Sequence, residues 1–151
     1  MNKKNLLAIY LNEFDIKFLQ SGAKKFKCTN IQKFLRLQKC KTYSPDKVQD
    51  KNLDPWVQSV SINTGKRSSE HKIFKIGQKI NPSNIQIWDR LSKQNISCGV
   101  WGAMNSKFKK NKNLKIYFPD PWNNFDKPFP KNLNYLFKLP RSYAQNYTNF
   151  N

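Results

Sequence analysis

His71 is the only histidine in the chain, and five residues separate it from the segment Asp54-Pro-Trp-Val-Gln-Ser-Val-Ser-Ile-Asn-Thr-Gly65. Small hydroxyl residues near a helix start can present a nucleophile or hold an anion on free backbone N–H groups. The plainer alternative is a buried helix whose small residues allow close packing. A Ser-His-Asp set around His71 is arithmetically available, but no nucleophile elbow surrounds it. A self-contained catalytic zinc site takes three protein ligands, mostly histidine, and nothing is spaced for one. Taken alone, His71 reads first as a structural or solvated residue. Glu13 and Asp15 follow the apolar run Leu6-Leu-Ala-Ile-Tyr-Leu11. In open α/β sheets, sites gather at the carboxyl ends of strands, where such acids serve as metal ligands or as a general base. The same acids also charge favourably the first turn of a following helix. The five glycines, at 22, 65, 77, 99 and 102, build neither GxGxxG nor a Walker A loop, which leaves a nucleotide site of either type unsupported.

The elements that must position these residues follow from local signals. Leu6–Leu11 has the look of a buried strand. Phe14, Phe18 and Leu19 recur at helical spacing up to Gly22. A second helix is expected over 31–39, with Thr29 and Gln32 at the spacing of a capping box. Lys41–Ser44 is a candidate short strand closed by Pro45. Asp54-Pro55 is a helix start, with an acid at the N-cap and proline in the first turn, and Gly65 is its C-terminal cap. Ser83 opens a further helix, with Gln86 three residues on and Ile85, Trp88 and Leu91 as its stripe. Asn95 closes it. Ile96–Gly102 and Lys115–Phe118 read as strands, followed by a proline-punctuated loop over 119–130 and a weak helix over 132–138. Strands alternating with helices predict an α/β layered architecture with parallel pairing. No repeat or linker divides the chain, so one domain over 1–151 is expected. Residues 119–151 read as loop-rich, and the end reads as incomplete.

With 151 residues, 38 % hydrophobic and 14 % aromatic, the chain can build a core. No apolar run approaches the roughly 20 residues of a membrane span, and no signal peptide is recognisable. The odd cysteine count, Cys28, Cys40 and Cys98, without CxxC spacing, points to reduced thiols and a cytoplasmic, non-exported chain. Lys+Arg is 28 against 9 acids, a net charge of +19. That balance raises nucleic acid or anionic membrane as partners. Only four of the 28 are arginine, however, and the chain holds 19 asparagines. High lysine with high asparagine is what an AT-rich genome imposes, which weighs background composition above a nucleic-acid footprint. With no interleaved aromatic stacking platform, nucleic-acid binding ranks last among the readings.

Together these pieces resemble the N-terminal part of the alkaline-phosphatase superfamily, on its type I phosphodiesterase/nucleotide pyrophosphatase side. The resemblance rests on separated blocks over about residues 5–105. They are the apolar strand with its acidic turn, the Pro-Trp helix with Ser61-Ile-Asn-Thr-Gly65, the loop with His71, and Ile85-Gln-Ile-Trp-Asp-Arg-Leu91 before Cys98-Gly-Val-Trp-Gly102. Asp120-Pro-Trp122 adds a weaker match. The resemblance implies a three-layer α/β sandwich with a mainly parallel central sheet. It also implies a divalent metal such as zinc as cofactor and hydrolysis of phosphodiesters.

The departures are equally specific. Asn12 occupies the place of the first metal-ligand aspartate; it supplies no charge, although Glu13 stands next to it. Val60 occupies the place of the nucleophile, flanked by Ser59 and Ser61, which a helix turns about 100° away. The family's other ligands come from later in a much longer chain. The resemblance therefore implies a segment inactive alone, completed by a missing C-terminal part or another chain. Asn12 and Glu13 are then the remnant metal corner, and Ser59, Ser61 and His71 the candidate catalytic residues. The alternatives are a catalytically silent homologue that binds a phosphorylated or glycan ligand, and a basic nucleic-acid-binding protein.

Overall fold

The computed structural model describes residues 5–12, 14–47 and 53–147. Its contacts divide the chain into two compact units, Met1–Tyr43 and Ser44–Asn151.

The smaller unit is a helix pair, α1 (Ile16–Lys25) and α2 (Thr29–Leu35). Asp15 starts α1: its carboxylate accepts the N–H groups of Lys17 at 2.7 Å and Phe18 at 3.1 Å. Lys24 and Lys25 occupy its last turn, at the negative end of the helix dipole. The expected Thr29–Gln32 capping box does not form. Gln32 instead reaches back to the Ala23 carbonyl at 3.2 Å and ties α2 to α1. Phe14 and Phe34 meet edge to face, with centroids 6.5 Å apart. Leu6–Leu11 is not a strand, and Leu6 is 92 % exposed. An apolar run becomes a strand only where a neighbouring strand takes its backbone groups, and among the described residues this run joins no sheet ladder. Lys41–Ser44 likewise forms no strand.

The larger unit holds the chemistry. Helix α3 spans Pro55–Thr64, as the Asp-Pro and glycine signals require. Gly65 ends it in the left-handed region at φ 70°, donating to the Ser61 carbonyl at 2.9 Å. Val60 packs with Ile73 and Ile80 in a buried cluster. A single turn, α4 (Ser68–His71), follows, held by the Glu70 carboxylate on the Arg67 N–H at 2.8 Å. Helix α5 spans Ile87–Lys93 and starts later than the Ser83 signal suggests. Asn81 takes both the N–H and the hydroxyl of Ser83 into a turn, and Asp89 accepts the Gln86 N–H at 3.2 Å.

Strands β1 (Cys98–Trp101) and β2 (Leu114–Phe118) pair in parallel, with Val100 opposite Tyr117 and Trp101 opposite Phe118. The architecture is α/β, and among the described residues the sheet has these two strands. Trp88, Val100, Leu114 and Tyr117 form the core on one face. On the other face Trp101 and Phe118 stack at 4.1 Å. The outer side of β2 is bridged by Phe129, which exchanges two hydrogen bonds of 2.8 Å with Tyr117. The outer edge of β1 has no ladder partner among the described residues. The last helix, α6 (Asn134–Asn146), is longer than the expected 132–138 and runs through Pro140. Proline removes one helical hydrogen bond. Phe137, set edge-on against Phe118 at 5.3 Å, anchors the helix to the sheet.

Candidate functional site

The end of α3 and the turn α4 bring Ser61 and His71 together. Ser61 Oγ lies 3.1 Å from His71 Nε2. The ring is buried, and its other nitrogen, Nδ1, accepts the Ile73 N–H at 3.0 Å. A nitrogen that accepts carries no proton, so in the neutral ring the proton sits on Nε2 and is donated to Ser61. The Ser61 hydroxyl is left to face the Val57 carbonyl one turn back, at 3.5 Å. Burial lowers the pKa of His71, opposed by the nearby Asp46 carboxylate and reinforced by Lys66. The ring therefore stays neutral near pH 7. A general base needs its bare nitrogen on the hydroxyl; here the protonated one is there.

The surroundings are built as support. Asp46 accepts from the Ser68 hydroxyl at 2.5 Å and from Gln58 Nε2 at 2.9 Å. The Ser68 bond leads in holding its carboxyl below the usual range, against the opposing effect of desolvation. An orienting carboxylate of a triad would sit on His71 Nδ1; that place belongs to the Ile73 N–H. Asn84 donates to the His71 carbonyl at 3.0 Å and accepts Lys66 Nζ at 2.8 Å.

The other sequence candidates fall elsewhere. Ser59 donates to the Met104 carbonyl at 3.1 Å and accepts Asn63 Nδ2 at 3.3 Å. Val60 is sealed in the core. Asn12 is an exposed turn residue of the smaller unit, and Glu13 lies outside the described residues.

A second polar centre at the carboxyl end of β2 was only grazed by the Asp120-Pro-Trp122 match. Asp120 is 2 % exposed. Its carboxylate accepts the N–H of Asn105 at 3.1 Å and of Trp122 at 3.0 Å. Burial nevertheless outweighs these bonds and pushes its pKa up to about 6. Asn105, at φ 49°, donates to the carbonyls of Trp56 at 3.2 Å and Lys75 at 3.0 Å. It thereby joins the start of α3, the segment after α4 and the end of the sheet. Nearby, the Tyr117 hydroxyl meets Ser106 Oγ at 2.8 Å and donates to Asp126 at 3.1 Å. Burial, with Asp126 beside it, pushes the phenol well above its ordinary pKa. The cavity against this network holds about 30 Å³, room for water rather than for a substrate. The signal in the sequence was position: an acid two residues past the end of the strand Lys115-Ile-Tyr-Phe118.

Among the described residues no three His, Cys, Asp or Glu side chains converge on a metal position, and no helix is long and apolar enough to cross a membrane. Compared with family models, curated proteins and solved structures, the chain matches none.

Proposed function

We propose that the chain carries the opening segment of an alkaline-phosphatase-like fold of the phosphodiesterase type, and that these residues alone perform no phosphoryl transfer. The observation that carries this reading is the meeting of Ser61 and His71 at 3.1 Å. It gathers the most specific block of the resemblance, Ser61-Ile-Asn-Thr-Gly65 and His71, into one cluster ahead of a parallel strand pair. In this reading β1 and β2 belong to a wider, mainly parallel sheet inside a three-layer sandwich. The remaining strands and metal ligands come from a further segment or another chain.

Catalytic silence has its own support. The residue at the nucleophile's place, Val60, is buried and cannot attack phosphorus. Ser59 is spent on a backbone carbonyl, and Ser61 accepts a hydrogen bond from His71 rather than donating one to it. The divalent metal that the resemblance implies does not fit the donors described: Asn12 is a neutral amide, and His71 has both ring nitrogens engaged. A two-metal clamp needs several anionic donors, and no step is routed through one.

The test has two arms. The chain is assayed on an aryl phosphodiester with Zn²⁺, Mn²⁺ or Mg²⁺; no turnover above metal alone is expected. Turnover that Ser61→Ala abolishes would overturn the silence. The coding sequence is also read beyond codon 151. Later strands bearing Asp and His ligands support the fold assignment; a stop codon there, with an intact mass matching 151 residues, removes the proposed continuation.

A further inference from the structure

Helix α6 has two apolar sides, and its own unit uses one. Phe137 is buried against Phe118. At helical spacing, Leu136, Leu139, Pro140 and Tyr143, with Tyr147 just past the helix end, fall on a second stripe about 100° wide. That stripe faces out: Leu139 is 80 % exposed, Tyr143 61 % and Tyr147 51 %. It runs into an open groove of about 400 Å³ walled by Pro121, Trp122, Leu139, Pro140 and Tyr143. Single exposed apolar residues are ordinary; a contiguous stripe with a groove beside it marks an interaction surface.

Charge selects what covers it. From residue 127 to the end the sequence holds Lys127, Lys131, Lys138 and Arg141 and no acid. Lys138 projects from the polar side of α6, away from the stripe. A second copy would set one acid-free helix against another, between chains that each carry a net +19, which repel. The make-up of the stripe points the same way. Tyrosine and tryptophan rings with leucine suit the headgroup level of a bilayer, and the net charge of +19 suits anionic lipid.

We infer that α6 and the Trp122 loop dock on an anionic membrane surface, with the helix lying in the interface plane and not crossing it. Leu139, Tyr143 and Trp122 enter the headgroup boundary, and the net charge of +19 draws the chain to lipid phosphates and carboxylates. This surface is independent of the Ser61–His71 cluster and of the fold assignment above.

The experiment mixes the full chain with vesicles of phosphatidylcholine alone, or of phosphatidylcholine with phosphatidylserine, and reads the bound fraction by co-sedimentation. Binding is expected only with phosphatidylserine. The pair Leu139→Ser and Tyr143→Ser leaves the charge unchanged and touches exposed side chains, so the fold stands. It should weaken binding roughly tenfold, while Ile62→Ser, at an exposed residue of α3, should not. Three results overturn the inference. One is no binding to anionic vesicles. Another is equal binding by the double variant, which would mean diffuse charge alone. The third is a dimer that the double variant dissociates without any vesicle binding, which would make the occupant a second copy.

Discussion

Nδ1 of His71 receives the Ile73 N–H, and that one bond settles which way the Ser61–His71 hydrogen bond points. The family resemblance grouped Ser61 with His71, but their spacing alone did not predict the contact. The direction of the proton was not legible in the sequence, because a backbone amide outside the motif decides it. Asp120 carries the complementary lesson, since its burial depends on loops brought in from Asn105 and Trp122. Its folded pKa, about 6, lies above the ordinary 3.8, so the folded chain binds this proton more readily than the unfolded chain. The stability that Asp120 contributes is therefore complete below about pH 4 and is lost as pH rises through about 6. His71 acts oppositely, since its lowered pKa favours the fold as pH rises. Comparing urea unfolding of the wild type and Asp120→Asn at pH 4.5 and pH 7 isolates the carboxylate. The wild type should lose up to a few kcal/mol relative to the variant on going to pH 7. An unchanged difference would show that Asp120 titrates normally.

Elements were legible where their signals are local. Helix α3 announced itself by Asp54-Pro55 and Gly65, and β1 and β2 by short apolar runs between turn residues. Turn α4 escaped the sequence because, beyond the local Glu70–Arg67 bond, its supports are distant: Asp46 holds Ser68, and Asn84 holds the His71 carbonyl. Leu6–Leu11 misled for the converse reason: it has a strand's composition but joins no sheet ladder among the described residues. The close approach of the loop at Gly77 to the Trp122 loop was hidden as well. Gly77 sits at φ 66°, and a side-chain carbon there would stand 2.6 Å from the Trp122 carbonyl oxygen. Gly77→Ala meets backbone on one side and an unfavourable φ on the other. It should cost more than about 1 kcal/mol of stability in denaturant unfolding, whereas a neutral result would mean the two loops separate easily.

At the scale of the molecule, both clusters of buried core residues lie within Ser44–Asn151. In the helix pair, Ala23 is the one buried residue among those described. Buried apolar surface is the main source of stability. A chain starting at Ser44 should therefore keep a cooperative thermal transition within a few degrees of that of the full chain, and residues 1–43 alone should show none. A truncated chain that melts without cooperativity would place essential packing in the first unit.

The open edge of β1 has a consequence for the protein as a colloid. An unpaired strand edge is a template on which identical strands can add, and proteins commonly guard such edges with charge. Here Cys98–Trp101 carries no charged side chain, so the guard is the long-range field of +19. That field reaches about 10 Å at 0.1 M salt and about 3 Å at 1 M. Ionic strength should thus set shelf life: turbidity on storage is expected to stay low in dilute buffer and to rise in concentrated salt as edges meet.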